Sequence, residues 1–238
     1  TGLNLARTLK RWNFDFSFFH RYDFSRIKLE QGVEYSKVNY DEVVGLTSYD
    51  YDSWTPTFTA RAELSPVLVA KAAYSAENRT YKERKTYTVQ FGATVGRPFE
   101  IRNFWEHTAE LSLNYEFLKN NDFEVGVEYS KRNENFENFY GFTQWQYRAK
   151  FDLRLTERNR TEISLRSKNK KYPNYWTSRI GLLNRVRVDY TNFRIDNTYQ
   201  ITPAFAFLLF AENYNKISND PFFDYLNFTA GTGVKFSY

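Results

Sequence analysis

The sequence predicts an all-β fold: one antiparallel sheet of about twelve strands, fourteen as the alternative count, closed into a barrel that crosses a bilayer. Three observations carry this. Apolar and polar residues alternate with period two through most of the 238 residues, which puts one chemistry on each face of a strand. Aromatic residues make up 20% of the chain, with 19 Tyr and 23 Phe, while the mean hydropathy is only −0.67. A barrel reconciles these two values, because rings sit on its outside and polar groups line its inside. Finally, no apolar run approaches the ~18 residues of a membrane helix.

The strands follow in order. Trp12, Phe14, Phe16 and Phe18 alternate with Asn13, Asp15 and Ser17. Ile27 to Tyr35, Tyr87 to Val95, Ala109 to Phe117 and Trp145 to Leu155 repeat the pattern. Further candidates lie at 55–64, 67–77, 122–131, 161–168, 179–190, 193–201 and 204–214. That is one more than twelve, so either 179–201 is one long bulged strand, the bulge shifting which face its residues take, or Leu3 to Leu9 adds a fourteenth. Tight turns are expected at Ser65-Pro66, Lys119-Asn120-Asn121 and Thr202-Pro203, and long connections at 39–54, 132–139, 169–178 and 215–225. Residues 1–11 read as a lead-in or a first strand, and 12–238 as the barrel. Gly-Val-Glu-Tyr-Ser-Lys occurs at 32–37 and again at 126–131, and Trp54, Leu64 and Tyr81 recur as Trp145, Leu155 and Tyr172 at the same spacing. This suggests a duplicated unit covering 32–81 and 126–172.

The last segment is the most informative. Leu226, Phe228, Ala230, Thr232, Val234, Phe236 and Tyr238 share one face, opposite Asn227, Thr229, Gly231, Gly233, Lys235 and Ser237. It exceeds the ~9–11 residues that a tilted strand needs to span a bilayer. Such a segment, finishing on an aromatic, resembles the closing strand of bacterial outer-membrane β-barrels. The resemblance implies an outer-membrane location, short periplasmic turns, longer extracellular loops, and surroundings of lipid bilayer and lipopolysaccharide. Trp12, Trp105, Trp145, Phe236 and Tyr238 are then the expected interface aromatics.

Composition narrows the chemistry. The absence of Cys excludes disulfides, zinc–thiolate sites and cysteine catalysis. The net charge of +5 is spread through strand-like segments rather than gathered in a basic tail or helix, so nucleic acid is not the expected partner. The two histidines, His20 and His107, have no local Ser and carboxylate arrangement beside them, and no catalytic residue is assigned. Asp41, Glu42, Asp50 and Asp52 cluster in one long connection but match no calcium-loop spacing. No metal or cofactor is expected.

The inward face carries the functional expectation. Before residue 130 it offers Glu106, Glu110, Glu116, Glu124 and Glu128; after 140 it offers Arg148, Lys150, Arg154, Arg166, Lys168, Arg185, Arg187 and Arg194. An acidic wall sector therefore adjoins a basic one. In a narrow barrel these charges pair and brace the wall; in a wider one the basic stripe faces water and favours anions. The layout is similar to the small monomeric porins for acidic sugars, which line twelve strands with Arg and Lys. The leading expectation is a channel for small hydrophilic, anionic solutes. A membrane-anchoring barrel of a larger secretion or surface-assembly protein, with a periplasmic partner, is the alternative, and a lipid-active enzyme the third.

Overall fold

In the computed structural model the described residues are 11–40, 50–90, 93–135, 140–179, 182–220 and 224–236. They form eleven strands: β1 (Arg11–Phe24), β2 (Ile27–Tyr40), β3 (Tyr51–Ser65), β4 (Leu68–Gln90), β5 (Ala93–Leu118), β6 (Asn121–Glu134), β7 (Phe142–Thr156), β8 (Asn159–Arg179), β9 (Leu182–Thr202), β10 (Phe205–Ser218) and β11 (Tyr225–Phe236). Each pairs antiparallel with the next in chain order, giving a single meandering sheet. No described helix is long and apolar enough to cross a membrane.

The described residues form eleven strands against the twelve expected, and one stretch accounts for the difference. The Tyr87 to Val95 stretch is not a strand of its own but the far end of the β4–β5 hairpin, where Thr88 faces Val95 and Gln90 faces Ala93. The two candidates at 179–190 and 193–201 merge into one uninterrupted β9, whose register with β10 runs without a break from Val188 to Gln200. The connection expected at 169–178 is likewise strand, part of β8, with a register shift between Lys171 and Trp176 around Pro173. Proline interrupts a ladder without ending it, because it lacks only the N–H donor. Residues 1–10 and most of the acidic connection at 41–49, with Asp41 and Glu42, lie outside the described residues.

One end of the sheet carries the tight turns, including Ser25-Arg26, Pro66-Val67 and Lys119-Asn120. Ser25 and Asn120 take left-handed backbone, with φ of 51° and 64°, the conformation that closes a two-residue hairpin. Because the count is odd, β1 enters from the long-connection end and β11 leaves at the tight-turn end. The two edge strands therefore run in the same direction, and no ladder joins them among the described residues.

The outward face is apolar over a defined height. Trp54 and Leu64, Trp105 and Tyr115, and Trp145 and Leu155 are each ten positions apart and all more than 40% exposed. Between them the outward positions of β3, β5 and β7 hold no Asp, Glu, Lys or Arg. Ten residues at ~3.3 Å, tilted by ~40°, cover about 25 Å, the height of a lipid-facing band. Tyr35 packs on Trp54 with ring centroids 4.6 Å apart and Tyr129 on Trp145 at 4.8 Å. The recurring hexapeptide thus places the same aromatic pair on β2–β3 and again on β6–β7.

Candidate functional site

The inward face of this sheet is where chemistry gathers. On β5, β6 and β7 the register sets Glu106 opposite Arg132, Glu110 opposite Glu128, and Gly126 between Ser112 and Arg148. Two facing glutamates would repel unless a cation served them. For Glu110, Arg148 does so by lying across β6: its Nη2 donates to Glu110 on β5 at 2.5 Å and its Nε to Glu124 at 3.1 Å. Gly126 makes this reach possible, since a Cβ there would sit 2.9 Å from Arg148 Nε. Lys71 on β4 approaches Glu110 from the other side, at 3.5 Å.

The pairing continues along the wall. Arg132 binds Glu106 at 2.5 Å, Arg79 binds Glu77 at 2.5 Å, and Lys150 binds Glu162 at 2.8 Å. Arg160 is paired with Asp152. On β9, Arg194 is held by Asp196 at 2.6 Å and Glu212 at 3.4 Å. Deepest of all, Arg102 donates to Glu134 at 2.8 and 3.0 Å, with their side chains 8% and 0% exposed. Glu128 accepts from Ser130 at 3.4 Å, and Glu116 caps the β5–β6 turn by accepting from the Asn120 amide. Arg154 lies at the tight-turn mouth near Arg158 and Arg160, around a cavity that also exposes Asp122, Asp152 and Glu157.

β8 differs. Arg166, Lys168 and Lys170 follow one another on its inward face, and no described hydrogen bond or carboxylate holds any of them. They line a cavity of about 250 Å³ with Gln144, Tyr190, Asn192 and Tyr214. Lys170 is placed by rings instead: its Nζ stands 3.6 Å from the centroid of Phe142 and 5.2 Å from that of Tyr172. A ring face orients a cation without cancelling its charge.

These rings belong to a larger pattern on the inner wall. Arg79 lies over Tyr51 at 4.1 Å and near Phe104 at 5.1 Å; Arg132 lies over Phe104 at 4.1 Å and near Phe142 at 4.8 Å. Aromatic and cation thus alternate strand by strand from β3 to β8. Sequence reading missed this belt, as it missed Gln144, Lys170, Tyr190 and Tyr214. The signal for Lys170 was present, since 166, 168 and 170 share strand parity, but the stretch from 169 had been read as a loop.

Two sequence-expected lumen residues lie elsewhere. Lys170 faces Val188 and Ser164 faces Arg194, so even-numbered β9 residues point inward. Arg185 and Arg187 are odd and occupy the outward face, where Arg187 pairs with Asp189 at 3.1 Å. A single unbroken strand cannot turn Arg185, Arg187 and Arg194 to one side. His107 and His20 are also outward. His107 shares a 2.7 Å hydrogen bond with Tyr74 and stacks on Trp105, and His20 packs on Tyr22. Of the acidic connection, Asp50 approaches Lys82 at 3.9 Å and Asp52 accepts from Tyr35 at 3.2 Å. Among the expected interface aromatics, Trp105, Trp145 and Phe236 are outward and exposed; Tyr238 and the side chain of Trp12 lie outside the described residues.

No protein-family model and no curated protein matches this chain. Solved structures do. The copper transporter OprC superposes with a TM-score of 0.61 at 8% identity, covering 96% of this chain and 42% of that one. A chain of the FpvAI–pyocin S2 complex gives 0.53 at 7% identity, covering 97% of this chain and 38% of that one. OmpT, an outer membrane protein of Vibrio cholerae, gives 0.50 at 8% identity and covers 95% of both chains. The chain spans about two-fifths of the length of the first two. The fold is that of bacterial outer-membrane β-barrels.

Proposed function

We propose that this chain forms the wall of an outer-membrane passage for small hydrophilic solutes and that the passage favours anions. One observation carries the charge preference: Arg166, Lys168 and Lys170 are three consecutive inward cations with no carboxylate in ion-pair contact, whereas the inward Arg79, Arg102, Arg132, Arg148, Lys150 and Arg194 are all paired. Unneutralised charge on a low-dielectric wall concentrates counter-ions of opposite sign. The paired wall on β4–β7 contributes little field and chiefly fixes shape. That OprC is named as a transporter supports passage in general; the anion preference rests on this chain's own residues.

The test is the reversal potential across a planar bilayer holding the purified protein under a potassium chloride gradient. Discrete conductance steps with chloride preferred are expected. A silent bilayer at high protein density, or a cation preference, would overturn the reading.

A second reading has its own observation. β1 and β11 run the same way, are exposed on both faces, and are joined by no described ladder. Exposed ladder groups are costly in lipid, so a spanning sheet must close. In this reading the sheet is one sector of a wider wall in a larger transport or surface-assembly protein. Cysteines introduced at Ser17 and Thr229, at matching heights on the two edges, would bridge in an eleven-stranded closure and stay apart in a wider one.

A further inference from the structure

We infer that the β8 cavity is a discrete binding station for a tetrahedral oxyanion of the phosphate type, carried by a soluble solute. This rests on the anion reading above but asks more of the same residues: not a diffuse field but a saturable site.

The lining supplies donors from four strands. Gln144 comes from β7, Arg166, Lys168 and Lys170 from β8, Tyr190 and Asn192 from β9, and Tyr214 from β10. Among the described contacts, no protein acceptor occupies the Gln144 amide, the two Tyr hydroxyls or the three cations. No carboxylate lines the cavity; Glu212, Glu128 and Glu106 stand behind the lining, each with a hydrogen-bond donor of its own. Glu212 accepts from Asn192 at 2.6 Å and from Arg194 at 3.4 Å, and Glu128 accepts from Ser130 and, at 3.5 Å, from Gln146. An anion entering here meets three cations and several donors, with no acid in the lining itself.

Geometry selects among anions. Same-face neighbours on a strand are ~6.7 Å apart, so two adjacent long cations can converge on one group between them. Arg166 offers a planar fork that takes two oxygens, and the lysines offer point charges. The hydroxyls and the amide approach from neighbouring strands at other angles. Donors arriving from several directions match an ion with three or four oxygens arranged in space better than a planar carboxylate with two. At ~30 Å³ per water, the 250 Å³ cavity holds the equivalent of about eight waters, enough for such a group with part of its hydration. Lys170, fixed by Phe142 and Tyr172, and Tyr190, lying 5.6 Å from Lys216 Nζ, are already placed, which lowers the ordering cost of binding.

The experiment is titration of the detergent-solubilised full chain with inorganic phosphate, read by calorimetry, alongside phosphate block of chloride conductance in bilayers. Saturable binding and a matching saturable block are expected. R166Q/K168Q should weaken binding at least tenfold, and Y190F/Y214F severalfold, with heat-modifiable gel migration unchanged. Arg187→Gln, on the outward face, should bind as wild type does. Sulfate should compete with phosphate. Acetate competing equally well overturns the tetrahedral assignment, and competition by lipopolysaccharide micelles overturns the assignment to a soluble solute. Binding that never saturates, or that R166Q/K168Q leaves intact, overturns the station. Anion-selective conductance without saturable binding would discard the station and leave the passage standing. Saturable binding without conductance would do the reverse.

Discussion

The inner wall of β4–β7 and the inner face of β8 are built from the same residue types and end in opposite electrostatic states. On β4–β7 every strand presents acids and bases in reach of each other, and Arg148 crosses a neighbouring strand to close the seam between Glu110 and Glu124. On β8 the inward file is Arg160, Glu162, Ser164, Arg166, Lys168, Lys170; Arg160 and Glu162 are paired, with Asp152 and Lys150, and the three cations after Ser164 have no described ionic partner. The lesson is that neutralisation depends on cross-strand register rather than composition. Bases outnumber acids in the chain, and the sheet sets three unserved ones in succession on β8.

This contrast can be broken at either end. The largest effect is expected at its most buried member. Arg102→Ala leaves Glu134 charged and enclosed, and should cost about 3 kcal/mol, measured as a lower denaturant midpoint in detergent. Next, Gly126→Val should push Arg148 off Glu110. Partial exposure of that pair holds the loss to about 1–2 kcal/mol, and the freed glutamates should visibly reduce anion preference in the same bilayer assay.

The β8 substitutions should behave the other way round. Replacing Arg166, Lys168 and Lys170 together by Gln should abolish the chloride preference while shifting stability by no more than about 0.5 kcal/mol, since no partner is orphaned. Raising salt from 0.1 to 1 M shortens the screening length from ~10 to ~3 Å, so the preference of the unaltered protein should shrink while the unfolding midpoint of the paired wall barely moves. The smallest effect is expected from Arg185→Glu with Arg187→Glu. Both residues are outward, and the reversal potential should stay where it was; a reversal would put them back in the lumen and refute the β9 register.

Much of this was legible in the chain. Period-two alternation identifies faces because successive side chains must point to opposite sides of a strand. Trp105, Trp145 and Phe236 were placed outward by parity alone, and Glu106, Glu110, Arg148, Lys150, Arg166 and Lys168 inward. Parity failed only where strand continuity was misjudged. A bulge within 179–201 would have let Arg185 and Arg187 share a face with Arg194, and the unbroken register of β9 removes it. Reading the stretch from 169 as a loop hid Lys170 in the same way. The belt of rings and cations was not legible, because it joins one residue from each of several strands, and only their heights relative to one another bring it into line.

What the sequence determined unaided is the two-faced ribbon and hence the membrane it suits: alternation is a local property, set by the geometry of each residue and its neighbours. What the tertiary structure decided is which charge meets which. Glu110 finds Arg148 thirty-eight positions away, and Arg166 finds no acid among the described residues, because partners in a sheet are chosen by register across strands, which no local pattern encodes.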